Sequence, residues 1–297
     1  MRIATFNVLH GRSLGADGRP VDLPPDGSVP PQQPLADAVA ALDVDVLALQ
    51  ELDRFQGRSG DVDQAEVAAT AMGATDWRYA SVLHSREVPG VGWVRERNAP
   101  ALRVYGPEDS ATLAMIPSHG NALLTRRPVL HWRARRIAGA PAGLPLPTAG
   151  LRALHVSRDY PRVAIAAVLD GVRGPFTIVC THLSFIPGWN VGQLATLHNW
   201  LTDLPRPHIL LGDLNLPGVI PRAVLAGTEL ARGVLGRGPI AHRWHDLAKA
   251  ATFPAHRPLI QIDHVMAAGV PSDAVRVSFA PQAAISDHRA LIVELPG

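Results

Sequence analysis

Cysteine is almost absent from this sequence, and its absence excludes several kinds of site. Cys180 is the only cysteine among 297 residues, so neither an internal disulfide nor a zinc site built from several thiolates can form. It lies in the apolar segment Phe176–Cys180, where a small thiol packs like a hydrophobic side chain. We therefore expect Cys180 to belong to the core.

Lysine is equally scarce, because Lys249 is the only one. Arginine carries nearly all the positive charge, and its guanidinium can bind phosphate in a bidentate fork. A compositional bias toward Ala, Arg, Gly and Pro explains the same usage without any function. The net charge of +2 argues against a basic protein that coats DNA.

Long apolar runs are missing as well. No segment approaches the ~20 apolar residues that a membrane helix needs. The first residues, Met1–Asn7, turn polar too early for a secretory signal. We therefore expect no membrane span and a cytoplasmic location.

The chain contains enough apolar residues for a large core. Hydrophobic residues make up 47% and charged residues 18% of the sequence, which is typical of a globular protein. We find no internal repeat and no linker that separates independent cores. The expectation is a single domain over residues 1–297, and a monomer.

Short apolar and β-branched segments predict strands along the whole chain. Many are nearly continuous in hydrophobicity, as in strands covered on both faces. A Gly- and Asp-containing turn at 170–175 predicts an antiparallel hairpin, and hence a mixed sheet. The predicted strands are Arg2–Val8, Val44–Gln50, Asn121–Arg126, Val163–Leu169, Thr177–Leu183, His208–Gly212, Ile260–Met266, Val275–Ala280 and Ala290–Leu295.

Helices and loops fill the intervals between these strands. The predicted helices are Leu35–Leu42, Gln64–Met72 and Val191–Leu201, and the predicted loops are Gly11–Pro34, Ser85–Pro117 and Ala138–Ala149. In the second loop, Trp93 with Arg95 and Arg97 is compatible with a specificity lid or with a mobile loop. Trp189 is compatible with a stacking platform for bases or with packing at a helix start.

Polar, acidic and imidazole side chains stand where the apolar strands end. Charged groups near a core are costly unless they are paired, metal-bound or solvated in a cleft. Because ligand crevices of α/β folds lie at strand ends, we expect these side chains to meet at one rim. The segments are Asn7, Gln50-Glu51, Thr181-His182, Asp213-Leu214-Asn215, Asp263-His264 and Ser286-Asp287-His288.

The chemistry of this set favours phosphoryl hydrolysis. Carboxylate and amide oxygens suit Mg²⁺ or Mn²⁺ better than Zn²⁺, and imidazoles can manage protons beside such an ion. Each element alone has a structural explanation: Glu51 as a charge at a helix start, Asp213–Asn215 as an Asx turn, and each Asp-His pair as a local ion pair. Their joint occurrence favours a site.

The order of these motifs resembles the endonuclease/exonuclease/phosphatase superfamily, the deoxyribonuclease I-like group, from end to end. The resemblance implies an α/β fold, a four-layer α/β/β/α sandwich of two packed mixed β-sheets with outer helices. The motifs that carry it are Thr5-Phe6-Asn7, Leu49-Gln50-Glu51, Gly120-Asn121-Ala122-Leu123-Leu124, Thr181-His182-Leu183, Gly212-Asp213-Leu214-Asn215, Ile262-Asp263-His264 and Ser286-Asp287-His288.

The resemblance also implies a cofactor and its ligands. Glu51 would be the principal ligand of Mg²⁺ or Mn²⁺, with Asn7 and Asp287 near the ion. Arg162 resembles an arginine that many members direct at the substrate phosphate.

Catalytic roles follow from the same resemblance. Asp213 would orient or deprotonate the attacking water, and Asn215 would hold the phosphate. His288 would contact the phosphate while Asp263 fixes its ring. His182 would act beside the leaving group.

Two departures bear on the branch of the superfamily. Abasic-site enzymes usually carry an acid two residues after the first Asn, where this chain has Leu9. They also place tyrosine and asparagine where this chain has Thr181-His182-Leu183, so the histidine-bearing branches fit better. The first expectation is that the protein hydrolyses phosphodiester bonds of DNA or RNA. The alternatives are a hydrolase of phospholipids, inositol phosphates or another small phosphoester, and a non-catalytic binding protein that retains the fold.

Overall fold

The computed structural model describes residues 1–88, 91–109, 115–147, 154–235 and 243–296. Its helices are α1 (Gln33–Ala40), α2 (Gln64–Met72), α3 (Trp189–Leu201) and α4 (Ile220–Val234). Its strands are β1 (Arg2–Asn7), β2 (Val46–Arg54), β3 (Asp76–Leu83), β4 (Ser85–Val88), β5 (Gly92–Arg95), β6 (Arg103–Tyr105), β7 (Ser118–Thr125), β8 (Val129–Ile137), β9 (Gly143–Pro147), β10 (Leu154–Arg158), β11 (Arg162–Leu169), β12 (Phe176–His182), β13 (His208–Asp213), β14 (Trp244–Asp246), β15 (Asp263–Ala268), β16 (Val277–Phe279) and β17 (Leu291–Glu294).

Two large mixed sheets dominate the described part of the chain. The first has seven strands in the order β16-β17-β1-β2-β7-β3-β6, and the second has six in the order β14-β15-β13-β12-β11-β8. Strands β1 and β2 are parallel, as are β12 and β13, whereas the other paired strands of the two sheets run antiparallel. The sheet order therefore puts a parallel pair near the middle of each sheet.

The two sheets pack face to face, and helices cover their outer faces. Between the sheets, Ile3 and Val46 of the first share a core with Ile165 and Ile178 of the second. The other face of the first sheet packs on α1 and α2, and the other face of the second packs on α3 and α4. This confirms the predicted four-layer α/β/β/α sandwich. None of the described helices is both long and apolar enough to cross a bilayer.

Several sequence predictions agree with the elements. The helix at Gln64–Met72 has the predicted bounds, because Asp63 caps its start and Gly73 ends it with a left-handed backbone. The predicted antiparallel hairpin is confirmed as β11 and β12. Parts of two predicted loops lie outside the described residues. These parts are 89–90 and 110–114 of Ser85–Pro117 and 148–149 of Ala138–Ala149.

Other predictions were wrong, mostly at sheet edges. Segment Ser85–Pro117 contains β4, β5 and β6 instead of a plain loop, and Ala138–Ala149 contains β9. Strand β15 begins at Asp263, three residues after the predicted start. Strand β8 was missed because it is an edge strand rich in arginine, and α4 was missed because only Pro221, Leu225 and Glu229 of its 15 residues are buried, which makes its apolar face narrow.

Candidate active site

Asn7 joins the two sheets at one rim of the sandwich. It ends β1, and its Nδ2 donates to Glu51 Oε1 at 3.0 Å and to Asp213 Oδ2 at 3.1 Å. Glu51 has a φ of +60°, and the β2–β7 register shifts between Leu49 and Leu52 at this point. This bulge gives the Glu51 side chain a direction that a regular strand would not allow.

Asp213 lies at the centre of the polar groups. Besides Asn7, its Oδ2 lies 3.5 Å from His182 Nε2 and 3.8 Å from His288 Nε2, while its Oδ1 accepts the Asn215 N–H at 2.9 Å. Burial, together with the negative charge of Asp263, raises the pKa of Asp213 to about 7. A carboxylate with such a pKa can accept a proton near neutral pH.

Asp263 and His288 form a buried acid–imidazole pair. His288 Nδ1 lies 2.9 Å from Asp263 Oδ2, and Thr252 Oγ1 donates to the same oxygen at 2.5 Å. Burial opposes the charged ring, yet the carboxylates of Asp263, Asp213 and Asp287 raise the pKa of His288 to about 10. His288 is therefore protonated at neutral pH, with Nε2–H on the side of Asp213.

The second imidazole, His182, is in a different state. Burial and the nearby Arg162 lower the pKa of His182 to about 3, so its ring is neutral. Asn215 Nδ2 lies 3.2 Å from His182 Nε2 and donates to the Leu183 carbonyl oxygen at 3.1 Å. One imidazole of the site is thus charged and the other neutral.

The segment that carries Asp287 is tied to β1. Ser286 has a φ of +69°, and its Oγ donates to the Asn7 carbonyl oxygen at 2.6 Å. The His288 N–H donates to Ser286 Oγ at 3.0 Å. Burial and the charge of Glu51 raise the pKa of Asp287, as expected for carboxylates that share a site.

Arg162 lies at the side of the site, next to His182. Its Nη2 donates to Asp159 Oδ1 at 2.9 Å, and its guanidinium stacks on the Tyr160 ring at 4.3 Å. Together with Asn121 and His182 it lines a narrow cleft. The fold thus brings the predicted site residues to one rim, with Arg162 on its flank: Asn7, Glu51, His182, Asp213, Asn215, Asp263, Asp287 and His288.

Sequence reasoning missed a neighbouring polar group made by Asp53, Arg58 and His119. Asp53 accepts Arg58 Nε at 2.7 Å and lies 2.8 Å from His119 Nδ1. His119 directly precedes the Gly120-Asn121 motif, and Asp53 follows Glu51 by two residues, so their closeness to known motifs was the available signal.

The donor set of the rim fits a hard divalent cation. Ligand atoms of Asp213, Asp263 and His288 all lie within 4.8 Å of one another. A protonated His288 offers no lone pair at Nε2, so the oxygen donors for a cation are the carboxylates and the Asn7 amide oxygen. Asp263 Oδ1 is buried without a hydrogen-bond partner in the described chain, and neighbouring negative charge contributes to the raised pKa values of Asp213 and Asp287. Crowded carboxylates with an amide oxygen nearby are the environment that Mg²⁺ or Mn²⁺ neutralises best.

Comparison with solved structures shows the fold again. An endonuclease/exonuclease/phosphatase from Beutenbergia cavernae has a TM-score of 0.56 at 21% identity, covering 100% of this chain and 72% of that one. A mannosyl-6-phosphatase from Bacteroides thetaiotaomicron has a TM-score of 0.53 at 14% identity, with 100% of both chains covered. Identities this low concern the fold alone.

Comparison of sequences identifies the family. The uncharacterized protein YbhP of Escherichia coli K12 is 26% identical over 183 residues, which are 60% of this chain and 62% of that protein. The chain thus spans less than two thirds of the curated relatives it matches. The family model described as "Endonuclease/Exonuclease/phosphatase family" matches residues 4–288, and members are generally phosphoester hydrolases with divalent metals. The chain therefore belongs to the endonuclease/exonuclease/phosphatase family.

Proposed function

We propose that this protein is a divalent-metal-dependent hydrolase of phosphodiesters, with nucleic acid as its first substrate class and residues 1–297 as one catalytic domain. The observation that carries the proposal is the surroundings of Asp213. Its carboxylate touches an amide from Asn7 and lies within 4 Å of two imidazoles in opposite charge states. A general base with a neutral imidazole and an imidazolium cation beside it suits the attack of water on a phosphoester.

The metal ligands in this proposal are Glu51, Asn7 and Asp287. Asn7 and Glu51 already contact each other through the amide nitrogen, and the amide oxygen accepts the Leu9 N–H at 3.2 Å, which orients this oxygen and leaves its second lone pair for a cation. When bound, Mg²⁺ or Mn²⁺ would offset phosphate charge as a Lewis acid.

Proton transfer from the attacking water falls to Asp213. The N–H of Asn215 fixes Asp213 Oδ1, so Oδ2 is the oxygen that faces the imidazoles. The raised pKa makes Asp213 a stronger base than an exposed aspartate. Asn215 Nδ2, which contacts His182 in the free protein, would donate to a phosphate oxygen in the complex.

His288 and His182 complete the set with different tasks. The imidazolium of His288, held by Asp263, would stabilise the charge that develops on the phosphate oxygens. The neutral His182 would lie beside the leaving group, and Arg162 on its flank would bind a phosphate oxygen.

A surface groove next to the site supports nucleic acid as substrate. The groove is lined by Arg135, Arg136 and the partly exposed Trp189, and Asn190 donates to the Asn215 carbonyl oxygen at 2.8 Å. Arginine with an exposed aromatic ring is suited to a strand of nucleic acid, because the ring stacks on bases and the cations bind phosphates. None of the proposed catalytic side chains lines this groove, and its link to them is Asn190, which follows Trp189 in the chain and contacts the Asn215 backbone.

A small phosphoester is the second candidate, and the narrow cleft beside His182 favours it. The cleft is lined by Asn121, Tyr160 and Arg162 and has a volume of only about 20 Å³, so it admits one small polar group of a substrate and not a duplex. A binding protein without catalysis fits less well, since each proposed catalytic position holds a competent side chain.

The test is turnover by protein that has been stripped with EDTA and then supplied with Mg²⁺ or Mn²⁺. The substrates are plasmid, single-stranded DNA, RNA, bis(4-nitrophenyl) phosphate and phospholipid head-group esters. We expect metal-dependent cleavage that is fastest on a nucleic acid and weakens steeply with salt, as counterions compete for the phosphates. Salt-insensitive turnover confined to small esters would favour the second candidate, and no turnover on any ester would contradict both.

A further inference from the structure

A second acid–imidazole pair lies beside the proposed catalytic groups. Strands β2 and β7 pair so that Asp53 stands directly opposite His119. His119 Nδ1 lies 2.8 Å from Asp53 Oδ1, and the imidazole is only 7% exposed while the carboxylate is fully buried. The ring nitrogen and the distance are nearly those of the pair formed by His288, in the segment before β17, and Asp263 of β15.

The Asp53 carboxylate is held rigidly in this pair. Arg58 donates to it through Nε at 2.7 Å and Nη2 at 2.9 Å, and Ser59 Oγ donates at 3.1 Å. Arg58 Nη1 donates to Glu87 at 2.9 Å, so two carboxylates offset the guanidinium. Arg58 therefore serves to fix Asp53, and Asp53 in turn fixes the orientation of the His119 ring.

The remaining nitrogen of that ring is not used by the fold. His119 Nε2 has no hydrogen-bond partner among the described residues, whereas Nδ1 contacts Asp53 and, at 3.4 Å, Arg58. His119 lines the same narrow cleft as Tyr160, Arg162 and His182. The side chain is almost fully buried, yet Nε2 is not among the buried unpartnered atoms of the described residues, so this oriented nitrogen is open to a ligand at the cleft.

An anchored hairpin lies beside the His119 ring, although its residues do not line the cleft itself. The Trp93 ring of β5 lies 5.6 Å from the His119 ring and 4.9 Å from the Arg58 guanidinium carbon, and it is 39% exposed. Gln56 Nε2 donates to the Ser85 carbonyl oxygen at 2.6 Å, and its Oε1 accepts the Glu87 N–H at 3.1 Å, which fastens β4 to the sheet. An exposed ring beside a free imidazole nitrogen suits a ligand with an apolar face and hydroxyls, such as a sugar.

We propose that His119 is a substrate-contacting residue that hydrogen-bonds a sugar hydroxyl of the phosphoester, with Asp53 as its positioning residue and Trp93 as the adjoining wall. The inference rests on the proposed function, because His182 is shared by the cleft and the catalytic groups. A hydroxyl both donates and accepts, so it satisfies Nε2 in either protonation state of the ring. The sugar belongs either to a nucleic acid or to a free sugar phosphate.

The test compares His119→Asn with the wild type on substrates with and without sugar. Asparagine keeps a donor near the Nδ1 position for Asp53 but has no atom in the place of Nε2. We expect KM for uridylyl-uridine or ribose 5-phosphate to rise about tenfold with a small change in kcat. The ratio of kcat/KM on the sugar ester to that on the matching aryl ester, bis(4-nitrophenyl) phosphate or 4-nitrophenyl phosphate, should fall accordingly.

The two sugar substrates distinguish the source of the hydroxyl. A change confined to uridylyl-uridine assigns the cleft to nucleic acid, and one confined to ribose 5-phosphate assigns it to a sugar phosphate. Asp53→Asn should lower the same ratio by a smaller factor, since it loosens the ring without removing Nε2. His131→Asn, on the exposed face of β8, is the matched control.

Two outcomes would overturn the proposal. One is a wild-type KM for both sugar substrates in His119→Asn, and the other is an equal loss on sugar and aryl esters. Trp93→Ala, which changes an exposed side chain, applies the same criterion if the histidine variant does not fold. Calorimetric binding of ribose 5-phosphate to Mn²⁺-restored protein gives a readout without turnover: equal Kd values for wild type and His119→Asn overturn the role of His119, whereas failure of the wild type to cleave any ester overturns the proposed function.

Discussion

Asp213 and Asp203 are two aspartates of this chain with opposite surroundings. Asp203 is exposed and pairs with Arg133, which holds the pKa of its carboxyl below the usual value. Asp213 is buried among other acids, so its pKa is raised to about 7. A buried carboxylate with a raised pKa is a candidate for a chemical role, whereas an ion pair at the surface contributes little to stability.

Asp213→Asn should lower kcat on any cleaved phosphoester by ~10²–10³, the loss typical for one catalytic group. The change removes the base but keeps the side-chain size and an oxygen for the Asn215 N–H. Steady-state kinetics with Mn²⁺ present measures the loss, and Asp203→Asn is the control. Full activity in a folded Asp213→Asn protein would remove this residue from the mechanism.

His84 allows a prediction about pH and stability away from the site. Burial and the positive charge of Arg103 and Arg54 lower the pKa of His84 to about 4. In the unfolded chain the pKa of His84 is near 6.5, so between about pH 4 and 6.5 the unfolded state binds a proton that the folded state does not bind. Its contribution to stability is complete above pH 6.5 and is lost as the pH falls toward 4, with a slope of up to about 1.4 kcal/mol per pH unit.

His84→Leu should flatten that part of the acid limb. The measurement is the free energy of unfolding from urea titrations between pH 4 and 7, where only the pH dependence is compared. His131→Leu on the exposed face of β8 should keep the wild-type slope. The same slope in all three proteins would show that His84 does not titrate as described.

At the level of elements, strand order decides which residues can be recognised from the sequence. Asn7 and Asp213 end apolar strands and His288 stands shortly before the last strand, so the linear pattern predicts them. Asp53 and His119 meet only because β2 pairs with β7 in a register that shifts between Leu49 and Leu52. No local pattern reveals a register across strands, which is why this pair was missed.

Edge elements were hard to predict for a related physical reason. Strand β8 pairs on one side only and has a single buried residue, Ile137, and so lacks the continuous hydrophobicity of central strands such as β11. Most central strands and the helix Gln64–Met72 were predictable because burial or caps determine their sequences, whereas β3, which also pairs on both sides, was missed because Asp76, Arg78 and Ser81 interrupt its apolar residues.

Gly212 tests how closely β12 and β13 approach at the site. A Cβ on Gly212 would lie 1.9 Å from the Thr181 carbonyl oxygen, and its φ is +153°. Gly212→Ala should therefore destabilise the protein by about 2 kcal/mol or more and displace Asp213. Gly227→Ala in α4, where a Cβ meets nothing within 4 Å, should stabilise by roughly 0.5–1 kcal/mol. Thermal unfolding compares the two, and equal melting temperatures would contradict this view of the sheet.

At the scale of the whole molecule, the site exists only because the two sheets pack together. Asn7 of the first sheet holds Asp213 of the second, and Ser286 ties the segment before β17 to β1. The four-layer architecture was predicted only through the family resemblance that the order of the motifs carries, and the strand pattern by itself predicted a mixed sheet. The surroundings of each group were not, since burial and charge come from residues distant in sequence.

In the proposed function, Glu51, Asn7 and Asp287 hold the cation on which phosphoester hydrolysis depends. The most direct measurement of this role is Mn²⁺ titration of EDTA-stripped wild type and Glu51→Gln, with calorimetric binding and hydrolysis of bis(4-nitrophenyl) phosphate followed together. We expect wild-type hydrolysis to return as Mn²⁺ binds. We expect Glu51→Gln to bind Mn²⁺ more weakly and to lose most of its turnover. Turnover by stripped wild type, or unchanged Mn²⁺ affinity and turnover in Glu51→Gln, would contradict this role.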